Sequence, residues 1–372
     1  TTAEFQAIQA QHPHAITRGE KIPVRSIRTS DTSIDHTGVG MECTITLSPK
    51  GEQVRFSATV TTPLTGGSSA NIAHALQGLG IGDVGILGAV GDDFYGHHII
   101  STVRDHKLGI AMLPREETAM SLILREPDGV ATLFACKPSV MLDGSMVTRL
   151  TRTLHPKVLI ASGVRSDDLA LVEPLWQNNT EARVRVFSPH IDLVGGNKES
   201  RERCLKLCNE ADLVHMNDYE AAWLFQLRNK DGGVSFPDDD EMVKKVMQEK
   251  VAPLTTHIFC ITRGERGSVT YDRKRQHVVL QPVLERTDCG NPVGAGDIHL
   301  ACLIYYLRLR GRTIGLRPAL EVASLVTAAK IRVNDLRPWA GIPDSATRKP
   351  WVRAAEEHFR NTSPSGQFGP IA

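Results

Sequence analysis

The sequence predicts an α/β protein with a mainly parallel sheet flanked by helices and a second, smaller β-sheet. Short apolar strands alternate with helical segments along most of the chain, which is the pattern of βα units. Two pairs of shorter segments alternate polar and apolar residues and are joined by turns, as in antiparallel hairpins. With 372 residues, of which 41% are hydrophobic, the chain can bury a core of this size.

The parallel sheet and its helices are predicted from apolar runs and their spacing. The predicted strands are residues 84–90, 158–161, 184–187, 213–216 and 259–262. The predicted helices are residues 70–80, 94–108, 168–178, 198–210, 219–228, 239–250, 296–310 and 317–333. In such sheets ligands collect at the carboxyl ends of the strands, so the residues that follow each strand are the first candidates for a site.

The small sheet is predicted from four strands in two segments, residues 43–62 and 119–136. Turn-forming residues 49–51 divide the first segment, and residues 127–129 divide the second. Neither segment has the continuous apolar run of a strand buried on both faces, so both are expected in one sheet outside the main body. Residues 1–36 are polar and contain several turn formers, and we expect them to be a loop-like extension outside the core.

The charge balance argues against several classes of partner. Lysine plus arginine (43) nearly equals aspartate plus glutamate (42), which leaves a formal charge of +1 without a basic run. Nucleic acids and anionic membranes bind concentrated basic surface, so neither is expected as a partner. No apolar run reaches the roughly 18 residues that span a bilayer, and no signal-peptide pattern is present, so we expect a cytoplasmic protein. The seven scattered cysteines have no zinc spacing and are expected to be reduced and buried.

The most specific candidate for chemistry is the sequence Gly294-Ala295-Gly296-Asp297, which opens a predicted apolar helix. Glycine lets a phosphate approach the backbone, and the N–H groups and dipole of a helix start stabilise negative charge. Asp297 is interpreted as a general base that takes the proton of an alcohol as it attacks the γ-phosphate of ATP. The alternative is an acidic residue that only complements the helix dipole.

Three further motifs open helices or follow strands. They are Gly66 and Gly67 with Asn71, then Asn217 to Glu220, then Thr262 to Gly267. The first offers close backbone approach and an amide for hydroxyl groups, although a double glycine is usually only a turn. The second lies at the end of a predicted parallel strand, where a ligand would bind, or it is simply a helix cap. The third combines a hydroxyl with glycine backbone, which suits a nucleotide phosphate.

These four motifs, in this order, resemble the signatures of the ribokinase-like, or PfkB, family of carbohydrate and nucleoside kinases. The matching segments are residues 66–76, 90–96, 217–220, 262–264 and 291–297. The third of them resembles the family's NExE element, and the fourth resembles its threonine-x-glycine strand end. The resemblance covers residues 37–350, which we predict to be one kinase domain, with a C-terminal helix and tail at residues 351–372.

The resemblance implies a doubly wound α/β body with a small β-sheet lid, and ATP-dependent phosphorylation of a hydroxymethyl group of a sugar or nucleoside. It implies Asp297 as the base, Gly294 to Gly296 as the anion hole, and Mg²⁺ near Glu220 through water. The implied contacts are Gly66, Gly67 and Asn71 for the sugar, and Asn217, Glu220, Thr262, Gly264, Gly267 and Asn334 for the nucleotide. The exposed face of the lid is a candidate homodimer contact, as in some relatives.

At three points the sequence departs from the family pattern, so the family's residue roles there cannot be assigned directly to this chain. The aspartate that usually contacts the substrate on the first strand is absent; Cys43 takes its place, with Glu42 as the candidate substitute one residue earlier. The aspartate before the second signature is Asn291, which puts the family's monovalent-cation site in doubt. The form Asn291-Pro292-Val293 resembles the branch for phosphorylated hexoses, whereas residues 66–71 resemble the branch for free sugars and nucleosides.

Two alternatives to a sugar or nucleoside kinase therefore remain open. A sugar-phosphate kinase of the tagatose 6-phosphate or fructose 1-phosphate type needs basic residues on the lid, for which Arg125 and Lys137 are the candidates. A catalytically silent binding protein would keep the fold, but the retained Asp297 and both glycine motifs argue against it. A dinucleotide dehydrogenase is not supported, because no strand is followed by GxGxxG.

Overall fold

The structure is a computed structural model that describes residues 10, 21–30, 41–49, 54–60, 66–105, 108–115, 117–125, 131–136, 156–178, 182–285, 292–309 and 315–332. In the strands between residues 21 and 60 and between 109 and 136, the backbone is described and most side chains are not. The chain divides into two compact units, residues 1–65 with 86–141, and residues 66–85 with 142–372.

The described strands and helices are numbered along the chain. The strands are β1 (Lys21–Ser30), β2 (Met41–Pro49), β3 (Val54–Val60), β4 (Gly85–Gly91), β5 (Gly109–Arg115), β6 (Met120–Arg125), β7 (Ala131–Cys136), β8 (Val158–Val164), β9 (Val184–Pro189), β10 (Leu213–Asn217), β11 (Ile258–Thr262), β12 (Ser268–Asp272) and β13 (His277–Gln281). The helices are α1 (Ser68–Gly78), α2 (Phe94–Asp105), α3 (Leu169–Asn178), α4 (Ile191–Val194), α5 (Lys198–Glu210), α6 (Asp218–Phe225), α7 (Asp240–Val246), α8 (Ala295–Ile304) and α9 (Leu316–Arg332). A π-helical turn continues α7 over Met247–Val251, and another continues α8 over Tyr305–Leu309.

The first unit contains a five-stranded sheet in the order β3-β2-β1-β7-β6. The strands β2 and β3 form one antiparallel pair and β6 and β7 form another, as the two hairpin segments predict. The strand β1 lies between the two pairs, antiparallel to β2 and parallel to β7. Both segments therefore belong to one small sheet, separate from the larger sheet of the second unit.

The expectation that residues 1–36 are loop-like is wrong for residues 21–30, which form the middle strand of this sheet. Pro23 and the polar residues from Arg28 onward suggested a loop. Pro23 lies near the start of β1, where a missing N–H donor is tolerated. The register shifts between Val24 and Ile27, which hides the alternation expected of a strand. Pairing on both sides overrides the weak local signal.

The prediction that residues 84–90 belong to the main parallel sheet is also wrong for the described residues. The strand β4 pairs instead with β5 in a two-stranded sheet. Several residues of β4 remain partly exposed, whereas a strand inside a parallel sheet is covered on both faces. The apolar run alone does not distinguish these two environments.

The second unit is built on a six-stranded sheet in the order β13-β12-β11-β10-β9-β8. The strands β8 to β11 are parallel neighbours, and β12 and β13 extend the sheet as an antiparallel hairpin. One face packs against α1, α8 and α9, and the other packs against α3 to α7. Leu213 and Val214 point to opposite faces and belong to different apolar clusters, as successive strand residues do. This mixed, mostly parallel sheet between helices confirms the α/β prediction.

Helix α8 is apolar on every side, and residues 298–304 are all buried. A helix with this composition must be surrounded by protein, and α8 packs between α1 and α9 in one cluster. Its N-terminal turn is therefore held firmly in place. Within the described part of the chain, no helix combines the length and apolar character needed to cross a membrane. The four cysteines described with side chains are buried and form no disulfide.

Candidate active site

The turn before α8 has the exposed backbone that the sequence predicts. Gly294 adopts φ 77 and ψ 4, a left-handed conformation that glycine reaches without steric cost. A Cβ atom on Gly296 would meet no heavy atom within 4 Å, so the space beside this turn is open among the described residues. The N–H of Ala295 donates to the carbonyl of Pro292 at 3.0 Å, so in this conformation it is engaged within the protein.

Asp297 lies in the first turn of α8 and is half-buried. One oxygen of its carboxylate, Oδ2, accepts a hydrogen bond from Nδ2 of Asn71 at 2.7 Å. Asn71 is 4% exposed and lies in the first turn of α1. Resemblance to the family predicts a sugar contact for Asn71, and in the structure its amide nitrogen is directed at the carboxylate. A charge-assisted hydrogen bond of this kind fixes the orientation of the carboxylate.

The start of α1 is docked at the carboxyl end of β8. Ser69 Oγ donates to the carbonyl of Ser162 at 3.4 Å. A Cβ atom on Gly163, whose φ is 66, would lie 3.2 Å from Oγ of Ser68. The sequence analysis missed Ser162 and Gly163, although two small residues directly after a predicted strand are a usable signal. Gly66 and Gly67 border open space among the described residues, as a binding turn requires.

Asn217 and Glu220 form a complete capping box at the start of α6. Asn217 Oδ1 accepts from the N–H of Glu220 at 2.7 Å, and Glu220 Oε2 accepts from the N–H of Asn217 at 2.9 Å. The helix cap, one of the two interpretations of this motif, is therefore present in the structure. The motif also lies at the carboxyl end of β10, so its position agrees with the ligand interpretation as well.

The third motif divides into an open part and a packed part. Thr262 ends β11 opposite Asn217, and Gly264, with φ 56, borders open space among the described residues. Gly267 is different, because a Cβ atom there would lie 2.0 Å from the carbonyl oxygen of Gln281. Close approach of two backbone segments explains this glycine without a nucleotide. Asn334 and the side chain of Glu42 lie outside the described residues, although the backbone of Glu42 belongs to β2.

A buried polar cluster lies in the layer between the sheet and α8, and the sequence analysis missed it. His215 of β10 and His299 of α8 approach each other with Nε2 and Nδ1 3.2 Å apart, beside Cys260 of β11. Burial lowers the pKa of His299 to about 4, and burial together with His299 lowers the pKa of His215 well below its usual value. Both imidazoles are therefore neutral near pH 7. The three residues are far apart in the sequence, so no spacing rule could have found them.

A buried lysine supports the glycine turn from α9. Lys330 is 1% exposed, and its ammonium donates a hydrogen bond to the carbonyl of Val293, the residue directly before Gly294. A charged donor holds a backbone carbonyl more strongly than a neutral one. The orientation of the turn is thus fixed from two sides, by Lys330 and by the buried body of α8. In the sequence, this lysine looks like an ordinary residue of an amphipathic helix.

Parallel strand ends beside two glycine-rich helix starts, one of which carries an aspartate, are typical of α/β enzymes that transfer phosphoryl groups. The chain belongs to the PfkB family: the family described as "pfkB family carbohydrate kinase" matches residues 39–338. It is accordingly an ATP-dependent kinase, as the sequence analysis predicts.

Comparisons with individual proteins agree with this family. The chain is similar to the probable fructokinase-3 of Arabidopsis thaliana, with 24% identity over 272 residues, covering 64% of this chain and 68% of that one. It is similar in fold to the adenosine kinase of Sinorhizobium meliloti, with a TM-score of 0.62 and 17% identity over 95% and 93% of the two chains. The nucleoside kinase of Burkholderia thailandensis, determined with inosine, has a TM-score of 0.57 and 19% identity over 91% and 94%. The ribokinase-like fold is thereby confirmed.

Proposed function

We propose that this kinase phosphorylates a hydroxymethyl group of a free sugar or nucleoside, with Asp297 as the general base. The observation that carries the proposal is the carboxylate of Asp297, held by Asn71 at 2.7 Å in the first turn of α8 beside the open space at Gly296. A helix start of this kind attracts phosphate, and an oriented carboxylate next to it can accept the proton of an alcohol.

The reaction follows from these positions. The acceptor hydroxyl oxygen attacks the γ-phosphorus of ATP, its proton passes to Asp297, and the bond from γ-phosphorus to the bridging oxygen of ADP breaks. The backbone at Gly294 and Gly296 faces the negative charge of the transferring group, and the helix dipole of α8 lowers the energy of that charge. Asn71 acts as a positioning residue, because its amide donates to Oδ2 of the Asp297 carboxylate.

The nucleotide is proposed to lie along the ends of β10 and β11, near Asn217, Thr262 and Gly264. Glu220 fits an outer contact to Mg²⁺ through water, because its carboxylate supplies oxygen ligands in the first turn of α6, directly after β10. When bound, Mg²⁺ neutralises phosphate charge. Gly267 directly precedes β12 and packs against the carbonyl of Gln281 at the end of β13, which gives it a structural role.

Turnover with a panel of acceptors tests the proposal. Purified protein with ATP and Mg²⁺ is offered free hexoses, free pentoses, nucleosides and hexose phosphates, and ADP release is compared with a reaction lacking acceptor. We expect a free sugar or nucleoside to raise ADP release and to stabilise the protein against heat. Turnover with hexose phosphates alone would favour the sugar-phosphate kinase instead, and ATP binding without turnover on any acceptor would favour the silent binding protein.

A further inference from the structure

We propose that His215, Cys260 and His299 form a buried binding site for a soft metal ion, of which Cu(I) is the best match. The three ligand atoms, two imidazole nitrogens and one sulfur, lie within 4.8 Å of one another, and all three residues are buried. The proposal does not depend on the substrate of the kinase. It concerns a second site, inside the protein, in the layer between the sheet and α8.

The distances in this cluster suit a shared ion. Nε2 of His215 and Nδ1 of His299 are 3.2 Å apart, and their ring planes differ by 35°. Two nitrogen ligands about 2.0 Å from one ion, at an angle of about 110°, lie about 3.3 Å apart. Both nitrogens can therefore bind one ion with only a small movement. In the absence of an ion, one ring donates a hydrogen bond to the other; on binding, that proton must move to the opposite nitrogen of its ring.

The pairing of β10 with β11 places the third ligand, the Cys260 sulfur, beside the two imidazoles. Cys260 is the direct cross-strand partner of His215, so both side chains point toward α8. On the next strand, Thr270 is the direct partner of Cys260, and its buried hydroxyl lies beside the thiol. The hydroxyl of Ser268 is also buried and also lies beside the thiol. Both hydroxyls favour the thiolate form of Cys260, against burial, which raises the pKa of the thiol to about 12.

Charge distinguishes between the metals that accept such ligands. Nitrogen and sulfur ligands select Cu(I) or Zn(II) rather than Mg²⁺ or Ca²⁺. Cu(I) with one thiolate and two neutral imidazoles has no net charge, whereas Zn(II) leaves one uncompensated positive charge. No carboxylate joins the cluster within the described part of the chain, and burying an unpaired charge is costly. Binding Cu(I) releases one proton, from the Cys260 thiol, and changes no oxidation state.

The proposed metal site lies directly beside the candidate active site. Each cluster residue lies two positions from a candidate active-site residue: His215 from Asn217, Cys260 from Thr262, and His299 from Asp297. A bound ion would therefore connect β10, β11 and α8 directly beneath the proposed phosphate site. It would brace these three elements against one another.

Metal titration tests the site. Reduced, metal-free protein is titrated anaerobically with Cu(I) against a chromophoric Cu(I) chelator, and separately with Zn²⁺. We expect the wild type to bind one more equivalent of Cu(I) than Cys260→Ser, and to unfold at a higher temperature with Cu(I) than without. The matched control is Cys302→Ser, because Cys302 is equally buried and lies on α8 but outside the cluster. It should bind as the wild type does.

X-ray absorption on the wild-type complex keeps the test valid if a variant misfolds. We expect one sulfur and two imidazole nitrogens around copper. Coordination by sulfur alone, which the adjacent thiols of Cys204 and Cys208 could supply, would overturn the proposal. So would equal Cu(I) binding by the wild type and Cys260→Ser. Binding of Zn²⁺ but not Cu(I), with the same dependence on Cys260, would overturn the assignment to a monovalent ion.

Discussion

Two helix starts in this protein combine glycines with an aspartate, at residues 91–96 and at residues 294–297, yet their environments differ. At the first, a Cβ atom on Gly96 would lie 2.1 Å from the carbonyl oxygen of Gly91. At the second, a Cβ atom on Gly296 would meet no heavy atom of the described residues within 4 Å. The first turn is closed by its own backbone, whereas the second borders open space in the described part of the chain.

The two aspartates differ in the same way. Asp93 accepts hydrogen bonds from the N–H of Gly96, and from the N–H and the hydroxyl of Thr118, each at 2.7 Å. It caps α2 and ties residue 118 to the turn. Asp297 accepts a hydrogen bond from Asn71 and follows Gly296, which borders open space among the described residues. Glycine and aspartate before a helix therefore do not by themselves indicate a ligand site, because a ligand site also needs open space beside them.

Replacement of Asp297 should give the largest effect. Asp297→Asn keeps the size of the side chain and an acceptor for Asn71, but removes the basic oxygen. We expect turnover to fall about 10²–10⁴-fold while ATP binding persists. Stability should change by about 1 kcal/mol or less. Turnover and thermal unfolding are measured on the same preparation.

The control for this experiment is Asp92→Asn, because the Asp92 side chain is 96% exposed and contacts only the exposed ring of His97 among the described residues. Its turnover and stability should match the wild type. Near-wild-type turnover of Asp297→Asn would end the case for this residue as the base, and would leave it the role of complementing the helix dipole.

Alanine substitutions at the two glycines should separate the closed turn from the open one. Gly96→Ala forces a methyl group against the Gly91 carbonyl, so we expect a loss of about 1–3 kcal/mol of stability. Gly296→Ala should fold as well as the wild type, because alanine favours the helix. It should lower kcat/KM for ATP about tenfold, the equivalent of one hydrogen bond to a charged group. Urea unfolding measures the stability of the two variants, and steady-state kinetics measure kcat/KM for ATP. If Gly96→Ala is as stable as the wild type, or if kcat/KM of Gly296→Ala is unchanged, the distinction between a packed turn at Gly96 and an open turn at Gly296 is wrong.

Glu220 tests whether the capping box also serves the metal. Glu220→Gln keeps an acceptor for the N–H of Asn217, so folding should be intact. We expect a severalfold higher Mg²⁺ requirement and lower turnover, because the charge is gone. Glu220→Ala, as the matched comparison, should additionally cost about 0.5–2 kcal/mol of stability. If turnover depends on Mg²⁺ identically in the wild type and Glu220→Gln, the residue is only a cap.

Asp93 should produce the smallest effect, which is a change in how stability depends on pH in acid. Burial raises the pKa of this carboxyl, but hydrogen bonds from Thr118, Gly96 and Tyr95 outweigh it and lower the pKa below 3.8. A carboxyl with a lowered folded-state pKa stabilises the protein above its unfolded-state pKa and loses that contribution as the pH falls. Wild-type stability should therefore fall below about pH 4 more steeply than that of Asp93→Asn. Urea unfolding between pH 5 and pH 3 measures the difference, and parallel curves would refute it.

The regular elements were largely predictable because their signals are local. Apolar periodicity placed α1, α5, α9 and the parallel strands β8 to β11 to within a few residues. The strand β1 was missed because Pro23 and a register shift conceal its pattern, and only its neighbours in the sheet make it a strand. The edge hairpin of β12 and β13 was missed although its two strands are local partners, joined across residues 273–276.

The site was predictable in its residue types but not in its contacts. The motif Gly294-Ala295-Gly296-Asp297 is visible in the sequence because glycine and a helix start are local properties. Its supports are not: Asn71 reaches Asp297 from α1, and Lys330 reaches the turn from α9. Such contacts depend on how helices pack, and a single sequence contains no spacing that reports them.

The hydrogen bond between Asn71 and Asp297 has a consequence for the protein as it is made. The two residues are 226 positions apart in the chain. At about 5–20 residues per second, a ribosome adds the second residue about 10–45 s after the first. During that interval the glycine turn of α1 can form, but the proposed base and its proposed anion site do not yet exist. With Asp297 as the base, a nascent chain is unable to consume ATP, and activity begins only once α8 has been synthesised and has folded against α1.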